Sequence, residues 1–234
     1  KAEKLFVRLD SWKLISLQVH PEKIVLENGL LYFYVDEQGR KNLVKAERSP
    51  ENNTTLPTIV LRNIRAIYQD KSKNKFDDIY FKELVYKTSK GKIKKLSVAL
   101  NGTVHGLGFN ITKGSYLRQK KLTGHLSFIL NDTMLTLKKS TLKIDGHPYR
   151  IAAQFIFTSI PRFNLEIKTN NIEMPAVASL LQKRTEDKIS KFSVQGKLDL
   201  TATITGHMVY QQQPLVKVAF SLRKGNINTP TAKF

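Results

Sequence analysis

Cysteine is absent from this chain, which excludes a disulfide scaffold and a thiolate metal centre. Acidic residues are scarce: 19 Asp and Glu stand against 39 Lys and Arg, a net charge of +20 at pH 7. A balance that basic attracts anionic partners such as phospholipid headgroups, nucleic acid or an acidic protein. Long apolar runs are missing as well. None approaches the ~20 residues that cross a bilayer as a helix, and there is no signal-peptide pattern. The chain opens on Lys1 rather than Met, so a membrane anchor or export signal is expected to lie outside it.

Catalytic patterns are also lacking. There is no G-x-S-x-G elbow, and none of the five histidines, His20, His105, His125, His147 and His207, pairs with another at zinc-protease spacing. The glycines of "GLGFNITKGS" at 106–115 come without the lysine and helix of a P-loop, and read as a twisted strand approached closely by backbone. Asp77 and Asp78 read as a turn before Ile79, with no separated acidic partner of the kind glycosidases need. The expectation is a protein that is not an enzyme, with no cofactor and no metal.

What is present is alternation. In "GKLDLTATITG", Leu198, Leu200, Ala202 and Ile204 share one face while Lys197, Asp199, Thr201, Thr203 and Thr205 share the other. Val216, Val218, Phe220 and Leu222 alternate in the same way against Lys217, Ala219, Ser221 and Arg223. Similar segments fill the chain, rich in Val, Ile, Phe, Tyr and Thr and broken by turn residues at short intervals. Turns are expected at Glu27–Gly29, at Asp36–Arg40 and around Asn101 and Gly102, and a polar loop at 46–57. "EMPAVASLLQKRTEDKIS", 173–190, departs from the pattern: Pro175 suits a helix start and Val177, Leu180, Leu181 and Ile189 fit helical spacing.

The fold class expected is therefore all-β and mainly antiparallel, in one β-rich domain over 1–234: a curved, groove-forming or sandwich-like extended sheet with about one α-helix near 175–190. One helix cannot cover so broad a sheet. The apolar face must be closed by a second sheet or by curling, or meet lipid.

Lysine clusters are the other candidate sites: Lys71, Lys73 and Lys75; Lys92, Lys94 and Lys95; Lys120 and Lys121. They suit a solvated face first and an anionic membrane surface second. Nucleic acid comes last, because no RNP-like motif, recognition helix or zinc finger accompanies them.

"VHPEKIVLENGLLYFYVDEQGRKNL", with Asn28, Gly29, Asp36, Gly39 and Asn42 in its turns, resembles a segment of AsmA-family proteins. So do "KGSYLRQKKLTGHLSFILND", "LTLKKSTLKIDGHPYRIAAQF" and the closing segment with Gly196, Gly206 and Pro214. The resemblance implies a periplasmic segment of an inner-membrane-anchored protein of Gram-negative bacteria, related to bridge-like lipid-transfer proteins, whose anchor is not included here. It implies an apolar β-groove carrying phospholipid acyl chains, lined by Leu126, Phe128, Leu130, Phe163, Leu165, Ile167, Leu198, Leu200, Ile204, Val216, Val218, Phe220 and Leu222. The lysines above would contact anionic headgroups. The same alternation is ordinary core in a closed β-sandwich, and a non-enzymatic interaction module supporting outer-membrane protein assembly is the alternative.

Overall fold

The computed structural model describes residues 2–9, 21–42, 57–89, 93–208, 212, 214–223 and 225–228. The strands are β1 (Ala2–Leu9), β2 (Pro21–Val35), β3 (Thr58–Asp70), β4 (Lys75–Thr88), β5 (Lys94–Gly108), β6 (Lys120–Leu130) and β7 (Met134–Ile144). They continue as β8 (His147–Ile156), β9 (Arg162–Ile172), β10 (Ser193–Val194), β11 (Lys197–His207), β12 (Leu215–Arg223) and β13 (Ile227–Asn228). Two short helices, α1 (Met174–Ala178) and α2 (Lys183–Ile189), follow β9.

Eleven of these strands form one open sheet in the order β1-β2-β3-β4-β5-β6-β7-β8-β9-β11-β12, and β10 pairs with β13 in a small ribbon. Every neighbour in the large sheet is antiparallel except β2 and β3, which run parallel. The sequence is thus all-β and mainly antiparallel, as its alternation requires. Of the two arrangements expected, the described strands adopt the single extended sheet; no second large sheet is stacked on it.

Three expected turns differ. Glu27–Gly29 is not a reversal, because β2 runs straight through it in register with β3. Asn28 takes a left-handed φ of 52° without shifting the register, and Asn63 in β3 does the same at 50°. The two side chains stack, with Asn63 Nδ2 donating to Asn28 Oδ1 at 3.1 Å. Asn101 and Gly102 likewise lie inside β5. A Cβ on Gly102 would stand 2.3 Å from the Tyr80 carbonyl oxygen, so glycine is there for close strand approach and not for a turn. Asp77 and Asp78 belong to β4 itself. The Asp36 turn is present: Asp36 Oδ1 accepts from the Gln38 and Arg40 amides at 2.9 and 2.8 Å. The segments at 13–20 and 46–56 lie outside the described residues.

The helix expected over 175–190 is broken at Gln182, whose ψ of 143° is extended. The break leaves the carbonyls of Leu180 and Leu181 without helical partners. Leu117 N–H donates to the first at 2.9 Å and Arg118 Nη1 to the second at 2.9 Å. The 109–119 loop therefore supplies what the helix lacks.

The core lies where the helices meet the sheet. Leu142, Ile144, Tyr149, Ile172 and Leu198 are buried together, with Met174, Ala176, Val177 and Leu180 packed on them. A tyrosine at that depth loses its hydration, and burial with the nearby Asp145 carboxylate pushes Tyr149 up to about 12.

Candidate functional site

Residues directly opposite one another in neighbouring strands project from the same face. Following the register, Leu26, Leu61, Leu84, Leu100, Gly124, Leu142 and Tyr149 form one unbroken row from β2 to β8. A second row runs from Phe128 through Leu137, Ala153, Leu165 and Ile204 to Val216. A third joins Leu130, Leu135, Phe155 and Phe163. The rings of Phe155 and Phe163 stack at 6.4 Å.

These rows bring together Phe128, Leu130, Phe163, Leu165, Ile204 and Val216 of the expected groove residues, while Leu198, Leu200, Val218, Phe220 and Leu222 lie further along the β11–β12 ladder. They also recruit residues that sequence reasoning passed over: Leu135, Leu137, Ala153 and Phe155 bridge β6 to β9, and Leu61, Leu84 and Leu100 extend the face toward β2. The signal for them was the same alternation, in segments that were assigned as strands but not to a face.

Cover divides the face in two. Leu198 is fully buried beneath the helices, and Ile167 and Leu222 pack against that cluster. Leu198 is therefore closed core and not groove lining, because α1 lies over its end of the sheet. Away from the helices the cover thins toward β12, although Leu61, Leu137 and Ala153 on the same rows are buried. Val216, Val218 and Phe220 are 53%, 55% and 54% exposed, and Leu126, Phe128, Leu130, Phe163, Leu165, Leu200 and Ile204 are half-buried by their neighbours in the sheet alone. β12 is also an edge: among the described residues its large-sheet neighbour is β11.

The lysines do not form one patch. Lys75 pairs with Asp70 and Lys120 with Val104, at one end of the strands, whereas Lys94 pairs with Leu130 at the other. Lys92 lies outside the described residues. Lys120 is engaged by Asp145 at 2.8 Å, and the Lys121 amide donates to the same carboxylate. Burial alone would push Asp145 up, but these hydrogen bonds and the Lys120 charge hold it below the usual carboxylate range. Lys71, by contrast, stands over the Tyr34 ring at 5.8 Å, in the turn that carries Lys73.

No chemistry converges elsewhere in the sheet. His105 meets Gln119, His125 meets Ser97 and His207 meets Gln212, at 3.2, 2.8 and 3.0 Å. Among the described residues no group of three or more His, Asp or Glu gathers as metal ligands.

The chain matches no family model, no curated protein and no solved structure. Its function must be argued from the face itself.

Proposed function

We infer that this chain is a lipid-handling segment that holds phospholipid acyl chains on the open apolar face between β6 and β12. The carrying observation is the exposure of Val216, Val218 and Phe220, the first of them at the end of an apolar row that runs back through Ile204 and Leu165 to the buried Ala153 and Leu137. Burial of apolar surface drives such binding, at about 0.8 kcal/mol per methylene, so one acyl chain can be held with no specific polar contact. The excess of basic residues favours approach to anionic membranes. Together with the resemblance noted above, this supports reading the chain as a periplasmic, non-enzymatic part of an inner-membrane-anchored AsmA-like protein that contributes to lipid transport and outer-membrane homeostasis.

Uptake of a phospholipid with a fluorescent acyl chain tests the reading. Wild type should take up the probe equally in low and high salt, and Val218→Lys should abolish uptake while leaving the far-ultraviolet spectrum unchanged. Uptake that collapses with salt would point to charge and would contradict the reading.

A second reading rests on the edge. Among the described residues β12 has one side with no strand beside it, where a strand of another envelope protein could add by main-chain pairing. Pairing of that kind would support outer-membrane protein assembly, and substitutions at Val218 would leave it largely intact.

A further inference from the structure

We propose that the tip formed by the β3–β4 turn and the β5–β6 loop is a membrane-docking wedge, inserting Phe109 and Ile111 into the headgroup layer of an anionic bilayer. This deepens the lipid-handling reading and names where the molecule meets the membrane. The two connections are one structural unit, because the Ile111 amide donates to the Asn74 carbonyl at 2.8 Å. Phe109 is 61% exposed and Ile111 49%, two large apolar side chains offered to solvent on one short loop. Singly scattered apolar residues need no explanation, but two adjacent ones at a loop tip ringed by lysines do. Lys71, Lys73 and Lys113 are exposed around them, and Lys75 opens the next strand.

The loop holds its shape without a partner. Asn110 Oδ1 accepts from the Thr112 amide and hydroxyl at 3.1 and 2.6 Å, and closes a turn of 3-10 helix over Ile111–Lys113. Leu107 and Tyr116 exchange two backbone hydrogen bonds at 3.0 and 2.8 Å. The Phe109 ring leans on Tyr116, centroids 5.9 Å apart. A wedge already ordered loses little conformational freedom on insertion. The nearby acids are turned to other work: Asp70 accepts from Ser72, Tyr68 and the Lys73 amide, and Asp77 from the Gly108 amide. Lys71 rests over the Tyr34 ring and Asp70 and Asp77 keep their charge, but Lys71, Lys73, Lys75 and Lys113 outnumber these two acids, so the tip carries a net positive charge complementary to an anionic leaflet, while the two apolar side chains fit the headgroup–acyl boundary.

The absence of cysteine makes the test clean. Ile111→Cys carrying an environment-sensitive fluorophore should shift to the blue on vesicles of phosphatidylglycerol in phosphatidylcholine, and not on phosphatidylcholine alone. The same label at Thr141→Cys, exposed in mid-sheet, should not shift on either. Phe109→Ser with Ile111→Ser should lower partitioning to the anionic vesicles about tenfold. Lys71→Gln or Lys73→Gln should each lower it about fivefold. An unshifted label at 111, or partitioning unchanged by the serine substitutions, would overturn the wedge and leave plain electrostatic adsorption. Lipid retained on the purified protein separates the two readings. Its loss in wild type with vesicle docking intact would remove the acyl-binding face alone, and retained lipid without docking would remove the wedge alone.

Discussion

Two aspartates that are neighbours in sequence meet opposite electrostatics. Asp78 receives a bidentate bond from Arg65, Nε to Oδ1 at 3.0 Å and Nη2 to Oδ2 at 2.6 Å. That bond, against the cost of burial, holds its carboxyl below the usual carboxylate range. A depressed value means the stability it confers is present above about pH 4, the unfolded value, and is lost as pH falls through the folded one. Arg65→Ala should cost about 1 kcal/mol at neutral pH, at the low end for a carboxylate stripped of its partner because the guanidinium is half in water. The cost should shrink in urea titrations as pH falls from about 4 through the folded value. Asp77 behaves in reverse. Burial pushes it up, and the Gly108 amide at 3.2 Å offsets only part of that. A raised value favours the folded state at low pH and loses that contribution as pH rises through it. Asp77→Asn keeps the acceptor for Gly108, and should raise neutral-pH stability by a few tenths to about 1 kcal/mol, with no gain at about pH 3. If both variants show pH-independent effects, the assignment of partners is wrong.

Strands, helices and the clamp between them set which apolar residues are core and which are open. Leu198→Ala should cost about 2–4 kcal/mol in equilibrium unfolding, since it empties a fully buried site. Val218→Ala, on the neighbouring strand opposite Ala202 and on the same sheet face, should cost under about 0.5 kcal/mol, because water already reaches that side chain. Arg118 donates to the carbonyls of Ser115 and Leu181 and pairs with Glu186. Arg118→Ala should speed amide exchange across 182–190 about tenfold while leaving β11 unchanged. The alternation that defines β11 and β12 was plain in the sequence, because one face of each strand must differ from the other. The break at Gln182 was not, because its compensation comes from Leu117 and Arg118, more than sixty residues away along the chain. Asn28–Gly29 misled for a related reason. A single left-handed residue reverses a chain only when nothing pairs alongside, and here β3 carries the strand onward. Of the candidate site, the faces of β6, β9, β11 and β12 were legible, whereas the closure over Leu198 depended on where α1 lands and could not be read from local pattern.

Taken entire, the molecule is a broad sheet whose helices are too few to cover it. Among the described residues α1 seals one part of the apolar face, Leu61, Leu137 and Ala153 are buried elsewhere on it, and the face opens at the edge strand β12. Part of the positive charge sits at the strand ends, with Lys71, Lys73 and Lys75 at one end of the strands and Lys94 and Lys95 at the other. That distribution suits a body that rests against anionic surfaces by its ends and works with its face. The free edge of β12 is guarded by Lys217 and Arg223, the latter drawn to Asp199, and such charges discourage uncontrolled strand addition. The decisive experiment is native mass spectrometry of the protein after a high-salt wash, with extraction and identification of bound lipid, on wild type, Val218→Lys and Ala219→Lys. Phospholipid should remain on wild type and on Ala219→Lys, whose charge lies on the polar face, and be lost from a folded Val218→Lys. A bare protein mass for wild type, or Val218→Lys failing to fold while Ala219→Lys folds, would mean the face is closed, and the lipid reading would fall.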